Sequence, residues 1–389
     1  MSLLLKPTVI AVSLFAAISL LTEQPVEKKA TTLIVPKTNT APKIQAAILL
    51  DVSNSMDGLI EQAKAQLWNM VSVMGKAKCN DATPEIEIAL YEYGRSNNDV
   101  KAGYVKQVSG FTTDLDKLSQ QLFNLTTNGG DEYCGQVIYT SLKDLVWDSA
   151  STNYKVIFIA GNEDFLQGNL LYTKACNEAK KKGVIVNTIY CGDRMQGIRE
   201  HWNLSAECGN GSFTNINQDA KIEDIPTPYD STILALNDKL NGTYLTFGAY
   251  GATAHAAQAE VDQKNLKINK SVAVKRAAVK GKKELYKNTT WDMVDAAEKD
   301  KDFVAKVDMK TLPDSLQKKS RKEIQQVIDL KTTERNSIQK EIETNNAKRE
   351  AYIAAEKKKA ANRNQNATLE TEIEKIIKTQ AVKFKMQIN

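Results

Sequence analysis

The feature that most constrains this chain is a short apolar run that ends in a polar turn. Residues 46–50 are all alanine, isoleucine or leucine, and Asp51, Ser53 and Ser55 follow directly. An unbroken apolar run before a helical pattern is typical of a strand that is buried on both faces. Ligands of such sheets bind at the carboxyl ends of the strands, where this carboxylate and these hydroxyls would lie. Because oxygen ligands suit hard divalent cations, the turn predicts a binding site for such a cation.

Downstream of this turn, segments with strand patterns alternate with segments of helical periodicity. The predicted strands are Glu85–Tyr93, Tyr104–Phe111, Val156–Ala160, Val184–Tyr190 and Gly211–Ile216. The first predicted helix begins directly after the polar turn, the second is capped by Thr113 or Asp114, and the third begins after Gly130. Three more helices are predicted over Tyr172–Lys182, Ile198–Cys208 and Ser231–Leu240. Strands alternating with helices over roughly 200 residues predict an α/β fold with a doubly wound, mostly parallel, six-stranded sheet.

The motif Asp51-x-Ser53-x-Ser55, placed at the first strand-to-helix junction, resembles the metal-ion-dependent adhesion site (MIDAS) of the von Willebrand factor A (VWA) domain. The resemblance covers about residues 43–240 and implies a Rossmann-like VWA sheet. It also implies a bound Mg²⁺, or Mn²⁺ or Ca²⁺, and a protein partner that offers an Asp or Glu to the cation. The whole chain resembles exported VWA proteins of Bacteroidetes-type bacteria, a group to which the resemblance assigns no activity.

Two loops depart from the pattern of that family. In the family a Thr before the third helix completes the site; here Thr127 could serve, but Asp131 lies where some relatives place an acid. We favour Asp131, because Mg²⁺ is commonly held by one or two carboxylates plus waters. The fourth strand of the family ends in Thr-Asp-Gly, whereas Gly161 stands at the Asp position here, and Glu163 or Asp164 would have to replace that acid.

An alternative interpretation is that the turn is the relic of a metal site and no longer binds a cation. In that case Ser53 and Ser55 only cap the following helix, a role for which serine is well suited.

The amino terminus has the pattern of an export signal. One lysine precedes Pro7–Leu21, an apolar run that matches a signal peptide and is short for a membrane span. We predict a signal peptide or an uncleaved signal anchor over residues 1–21 and a flexible tether over residues 22–43. Either option places the VWA-like domain, residues 44–242, outside the cytoplasm, in the periplasm or cell envelope. Contact with the membrane is expected only for an uncleaved anchor.

The carboxyl-terminal region changes in composition. We predict a helical connector over residues 243–312 and a charged long helix, or a helical hairpin bent near Asn362–Asn366, over residues 313–389. Its apolar residues come in short bursts, which favours a partly coiled-coil-like region over a strict zipper and leaves self-association as an option. We expect this region to be separable from the VWA-like domain, because every proposed metal ligand lies between Asp51 and Asp164. On its own it should be partly helical at best, since isolated helices are marginal without packing.

The five cysteines all lie in the VWA-like domain. Export to an oxidising compartment favours disulfides, and an odd count leaves at least one thiol unpaired. Our first choice is a Cys191–Cys208 bridge, and a second bridge would join Cys79 to Cys134. The alternative is five small buried thiols, since cysteine is among the residues most often buried.

Composition and motifs exclude several functional classes. The net charge is only +5 and acids interleave with bases, which argues against nucleic-acid binding. The two histidines, His201 and His255, have no partner at a recognisable catalytic spacing, and no phosphate-binding loop or zinc-protease motif occurs. We therefore predict a protein-interaction module rather than an enzyme. The alternatives are a structural or oligomerising scaffold with a vestigial metal site and a metal-dependent hydrolase.

Overall fold

The strands of the computed structural model follow the apolar segments of the sequence. The structure describes residues 42–219, 225–359 and 369–388, so the predicted export signal and the bend near Asn362–Asn366 lie outside the described residues. The strands are β1 (Lys43–Asp51), β2 (Ala77–Lys78), β3 (Glu85–Tyr93), β4 (Lys106–Thr112), β5 (Tyr154–Gly161), β6 (Ile185–Cys191), β7 (Asn210–Ile216) and β8 (Gln387–Ile388).

Six of these strands form one sheet, in the order β4-β3-β1-β5-β6-β7. All neighbours are parallel except β3 and β4, which are antiparallel. Numbered by their order along the chain, the strands of this sheet run 3-2-1-4-5-6, which is the doubly wound arrangement. The predicted fold class is therefore confirmed. The winding reverses between β1 and β5, so a crevice opens at the carboxyl ends of these two strands, where such folds bind ligands.

The helices of the described residues cover both faces of the sheet and extend beyond it. They are α1 (Asp57–Met74), α2 (Leu115–Phe123), α3 (Cys134–Asp144), α4 (Tyr172–Lys182), α5 (Arg194–Arg199), α6 (Trp202–Cys208), α7 (Asp230–Asn241), α8 (Gly251–Ile268), α9 (Lys270–Lys280), α10 (Met293–Lys299), α11 (Phe303–Lys306), α12 (Asp314–Gln317), α13 (Arg321–Lys359) and α14 (Leu369–Ala381).

Two local predictions about these helices have different outcomes. Asp114 caps α2, since its side chain accepts a hydrogen bond from the backbone amide of Lys117. The single helix predicted over Ile198–Cys208 is instead two helices, α5 and α6. His201 separates them with a left-handed φ of 65°, a conformation that ends a helix.

Alternate residues of β1 point to opposite faces of the sheet and enter two different apolar clusters. Ile48 and Leu50 join a cluster with α1, whereas Ala47 and Leu49 join a second cluster with α3 and α4. Both faces of β1 are thus buried, which explains why its sequence is apolar without alternation. The carboxyl end of this strand is held in the middle of a three-layer structure.

The carboxyl-terminal helices pack on the α1 side of the sheet. Ile342 of α13 and Ile377 of α14 belong to the same buried cluster as Trp68 of α1. The short strand β8 pairs with β2, directly after α1. The predicted domain boundaries remain predictions, but the expectation that this region is separable conflicts with these shared contacts. Nothing among the described helices is both long and apolar enough to cross a membrane.

All five cysteines are free thiols, so neither predicted disulfide is formed. Cys191 lies at the end of β6 in the cluster on the α1 side of the sheet. Cys208 ends α6, whose Trp202 belongs to the cluster on the opposite side. The sheet thus separates the two residues of our first choice.

Candidate metal centre

Asp51 is the last residue of β1 and lies in the crevice where the winding of the sheet reverses. The next residue, Val52, continues the hydrogen bonding towards β3, its amide donating to Tyr93 O at 2.9 Å. The chain then leaves the sheet through a short 3-10 turn, Asn54–Met56, and enters α1. The strand thereby fixes the Asp51 carboxyl in the interior, with no exposed surface.

Two oxygen atoms of the Asp51-x-Ser53 turn are buried without a hydrogen bond. Asp51 Oδ1 accepts from the Ser53 amide at 2.8 Å, but Asp51 Oδ2 and Ser53 Oγ have no well-aligned partner. The Ser53 hydroxyl and the Asn162 backbone amide lie near enough to lower the pKa of Asp51, against the larger effect of burial. Leaving a buried polar atom unsatisfied costs on the order of 1–3 kcal/mol. A cation between these oxygens would remove that cost.

The electrostatics of Asp51 also favour a cation. Burial raises the pKa of Asp51 to about 7, and the nearby charge of Glu163 adds to this shift. A buried carboxylate without a counter-charge is unfavourable. The residues present therefore fit a divalent cation, and their donor set of carboxylate and hydroxyl oxygens suits a hard one.

Ser55 lies at the exposed rim of this turn. Its hydroxyl accepts a hydrogen bond from Asn162 Nδ2 at 3.1 Å, which ties the turn to the loop after β5. The capping role expected for a relic is not seen, because the Ser53 side chain makes no capping hydrogen bond to the helical turn that follows. Ser53 and Ser55 thus remain available as oxygen ligands.

The two residues predicted from the loop before α3 are engaged elsewhere. Thr127 Oγ1 donates to Asp57 Oδ1 at 2.5 Å, at the start of α1. Asp131 is exposed, and its Oδ2 accepts from the Tyr133 hydroxyl at 3.1 Å. These side chains help to shape the loop, but neither contacts Asp51 in this arrangement.

Glu132 is the acid of this loop that approaches Asp51. It is 8% exposed, and a Cβ built on Gly94 would lie 2.9 Å from both Asp51 Oδ1 and Glu132 Cγ. Gly94, with a φ of 80°, therefore provides the space in which the two acids face each other. Burial raises the pKa of Glu132 to about 8, and the charges of Asp51 and Glu163 add to this shift. The sequence pattern did not point to Glu132, because the resemblance placed the acid at the adjacent Asp131.

Position 161, at the end of β5, has no room for the carboxylate that the family pattern places there. A Cβ at this position would lie 2.5 Å from the Tyr93 hydroxyl and 2.9 Å from Asp51 Oδ2. The Tyr93 hydroxyl is itself fixed, since it donates to Ala160 O at 3.0 Å. An aspartate at position 161 is thus excluded by a tyrosine on the neighbouring strand.

Of the two acids proposed to replace it, Glu163 is the one whose charge raises the pKa of Asp51. Its side chain is exposed, while its backbone oxygen accepts from Trp202 Nε1 at 2.8 Å. Asp164 instead stabilises the loop, because its Oδ1 lies 2.9 Å from His201 Nδ1 and accepts from the Leu166 amide at 3.0 Å.

The structure thus brings together part of the predicted site. Asp51 and Ser53 form its buried base, Ser55 and Glu163 lie at its exposed rim, and Glu132 is an addition. Within the described ranges, no group of three or more His, Cys, Asp or Glu side chains is arranged to hold a metal. Any cation here would therefore depend on hydroxyl oxygens and water as well as on carboxylates.

Comparison with known proteins gives only distant structural similarity. No family model and no curated protein sequence matches this chain. Proximal thread matrix protein 1 from the mussel byssus is 15% identical, with a TM-score of 0.33, and the match covers 45% of this chain and 42% of that one. A structure of the same mussel protein has a zinc-occupied MIDAS motif and gives 14% identity, a TM-score of 0.34 and the same coverage.

Two shorter chains are similar over most of their length. The SpRpn10 VWA domain is 16% identical, with a TM-score of 0.34, over 45% of this chain and 88% of that one. An aerotolerance-related membrane protein from Bacteroides fragilis is 15% identical, with a TM-score of 0.33, over 45% of this chain and 93% of that one.

The fold follows from the chain's own geometry. The sheet is doubly wound with one antiparallel edge strand, and the Asp51-x-Ser53-x-Ser55 turn joins its first strand to its first long helix at the crevice. This strand order and the position of the turn identify the fold of residues 43–241 as that of a von Willebrand factor A domain.

Proposed function

We propose that this chain is a protein-interaction module that binds a divalent cation at Asp51, Ser53 and Ser55 and receives a carboxylate of a partner protein on that cation. The observation that carries the proposal is the pair of buried, unsatisfied oxygens, Asp51 Oδ2 and Ser53 Oγ, in the crevice of the sheet. Buried polar atoms without partners are uncommon in native proteins, and a missing ion is one of their ordinary explanations.

The proposed cation is Mg²⁺, with Mn²⁺ or Ca²⁺ as alternatives, because the available donors are oxygens. Asp51 is the only acid of the turn, and Gly161 adds no carboxylate. A cation held mainly by neutral hydroxyls and water keeps much of its positive charge. Since Ser55 and Glu163 are exposed, the site opens to solvent, and an Asp or Glu of a partner can reach the cation.

The proposal includes no catalytic step. His201 pairs with Asp164, and His255 packs against Tyr244 and Trp291, so both positions support structural roles. We also propose that the protein works outside the cytoplasm, which rests on the pattern of its amino terminus. A scaffold with a vestigial site and a metal-dependent hydrolase remain the alternatives.

Calorimetric titration of the full chain with Mg²⁺, Mn²⁺ and Ca²⁺ tests the metal site. We expect saturable binding of at least one cation, loss of that binding in Asp51→Asn, and unchanged binding in Asp238→Asn, which alters an exposed acid on α7. Circular dichroism melts of the variants control for folding. Equal affinity in wild type and Asp51→Asn would disprove the site, and no binding of any cation would favour the scaffold.

The partner carboxylate is tested with a short peptide that contains one glutamate. We expect it to bind the metal-loaded chain, and we expect the same peptide with glutamine in that position not to bind. Addition of a chelator should release the peptide. Equal binding of both peptides would show that the cation does not receive a carboxylate.

A further inference from the structure

Two cysteine thiols lie next to each other where α4 packs against α6. The Cys176 thiol donates to Ser205 O at 3.7 Å, and the Cys208 thiol lies near enough to raise the pKa of Cys176. Ser205 and Cys208 are three residues apart on α6, so they lie on the same face of that helix. The Cys176 thiol of α4 therefore contacts the face of α6 that carries the Cys208 thiol.

The two thiols differ in their access to solvent. Cys176 is buried, whereas Cys208, at the last position of α6, is half-buried. Both helices lie on the same side of the sheet, so joining the sulfurs requires no crossing of the core. Cys191 offers no competing partner, because its side chain belongs to the cluster on the opposite side. Cys134 lies on the same side of the sheet as α4 and α6, but its thiol donates to the Tyr93 hydroxyl at 3.7 Å. The contact through Ser205 therefore favours Cys176 and Cys208 as the pair.

We propose that Cys176 and Cys208 form a reversible disulfide that fastens α6 to α4 when the protein meets an oxidising low-molecular-weight disulfide. The accessible Cys208 loses its proton and attacks the oxidant, forming a mixed disulfide and releasing one thiolate, which takes up a proton. Cys176 then loses its proton and attacks Cys208 Sγ, expelling the second small thiol. Two protein thiols are oxidised to one disulfide, and one small disulfide is reduced to two thiols.

The surroundings of Cys176 determine which step is slow. Burial raises the pKa of the Cys176 thiol to about 12, and the neighbouring Cys208 thiol adds to this shift. The thiolate is the attacking species in thiol–disulfide exchange. Cys208 is therefore the entry point, and the closing step should become faster as the pH rises.

The bridge would act on the loop next to Asp51. It closes residues 176–208, a segment that includes His201 and Trp202. Their side chains contact Asp164 Oδ1 and Glu163 O in the loop after β5. Fastening α6 to α4 would restrict the helix on which this loop rests. The redox state of the pair would thus control the mobility of one wall of the crevice.

The test is incubation of the folded, reduced full chain with glutathione disulfide, followed by alkylation and peptide mapping without reductant. We expect one linked product, which joins the peptides of Cys176 and Cys208, and the same product from Cys191→Ser. The closing step should be faster at higher pH. Glutathione that remains on Cys208 of the wild type, a bridge that includes Cys191, or five unmodified thiols would each overturn the proposal.

Two serine variants provide the second measurement. Cys208→Ser alters a half-buried position and should fold even where Cys176→Ser does not. Hydrogen exchange of α6 and of the loop after β5 should be slower in the oxidised wild type than in the reduced wild type, with no such difference in Cys208→Ser. A bridge that forms without slowing exchange at α6 would disprove the fastening.

Discussion

Arg335 of α13 offers the most direct test of how the long helix is joined to residues 243–295, the segment that follows the VWA fold. The residue is 4% exposed, and its guanidinium donates five hydrogen bonds, to Asp292, Asp295 and Thr243. It also lies over the ring of Tyr244, 4.3 Å from the centroid. Removing one partner of a buried ion pair costs about 3–5 kcal/mol, since the remaining charge loses its compensation.

We predict that Arg335→Met lowers the free energy of unfolding of the full chain by about 3–5 kcal/mol at neutral pH. Methionine retains much of the side-chain volume, so the loss reports the charge and its hydrogen bonds. The matched control is Lys340→Met, an exposed cation five residues further along the same helix. Urea denaturation followed by circular dichroism measures both variants, and an unchanged slope with denaturant validates the comparison.

The pH dependence gives a second, independent readout of this cluster. Burial and the charge of Asp292 raise the pKa of Asp295 to about 6, while Arg335 opposes the shift. An acid whose pKa is raised binds more protons when folded, so its contribution to stability falls as the pH rises from 3.8 to about 6. Without Arg335 this pKa should rise further, and the variant should therefore lose less stability at about pH 5 than at about pH 7. A loss no larger than that of Lys340→Met at both pH values would refute the buried cluster.

Three further predictions concern the crevice and a buried lysine. Asp131→Asn should leave the affinity for Mg²⁺ nearly unchanged, whereas Glu132→Gln should weaken it severalfold above about pH 8, where Glu132 carries a negative charge; calorimetry that gives the reverse order would assign the exposed acid to the site. Gly161→Ala should destabilise the protein by about 1–3 kcal/mol through overpacking, and less in a Tyr93→Phe background, where the closest oxygen is absent. Equal losses in both backgrounds would show that the tyrosine is not the obstacle. Burial lowers the pKa of Lys280 to about 8, so between that value and 10.5 the stability should rise with pH in the wild type and less in Lys280→Met.

The sheet could be predicted because its signals are local. Each central strand is a run of apolar residues flanked by a polar turn, and burial on both faces requires that pattern. The position of Asp51 followed from the same signal, since parallel strands place their carboxyl ends at one edge. The break at His201 had no such signal, because a left-handed conformation is uncommon for residues other than glycine.

The attachment of the carboxyl-terminal helices could not be predicted, because the residues that hold them are charged. Arg335 and Arg349 look like parts of a solvated helix face, yet Arg349 Nε donates to the buried Asp230 at 2.9 Å. Their partners lie about 40 and 120 positions away in the sequence, beyond the reach of any periodicity. Ile338 and Ile342 of α13 and the apolar residues of α14 join the cluster on the α1 side of the sheet. Ile324 and Ile328 of α13 instead pack in a separate cluster with Met293. Sparse apolar residues are sufficient when buried ion pairs supply the remaining contacts.

The site itself shows why a motif identifies a metal centre less completely than the fold around it. The resemblance directed attention to Asp131, the acid at the expected position, but the backbone turns its neighbour Glu132 towards Asp51. The approach of Glu132 to Asp51 depends on Gly94, which directly follows β3. The absence of an acid at position 161 depends on Tyr93, the last residue of β3. Each departure from the family pattern thus depends on a residue of a different segment. The net result is a crevice in which two acids with raised pKa values face each other around unsatisfied oxygens, an arrangement that a divalent cation would stabilise.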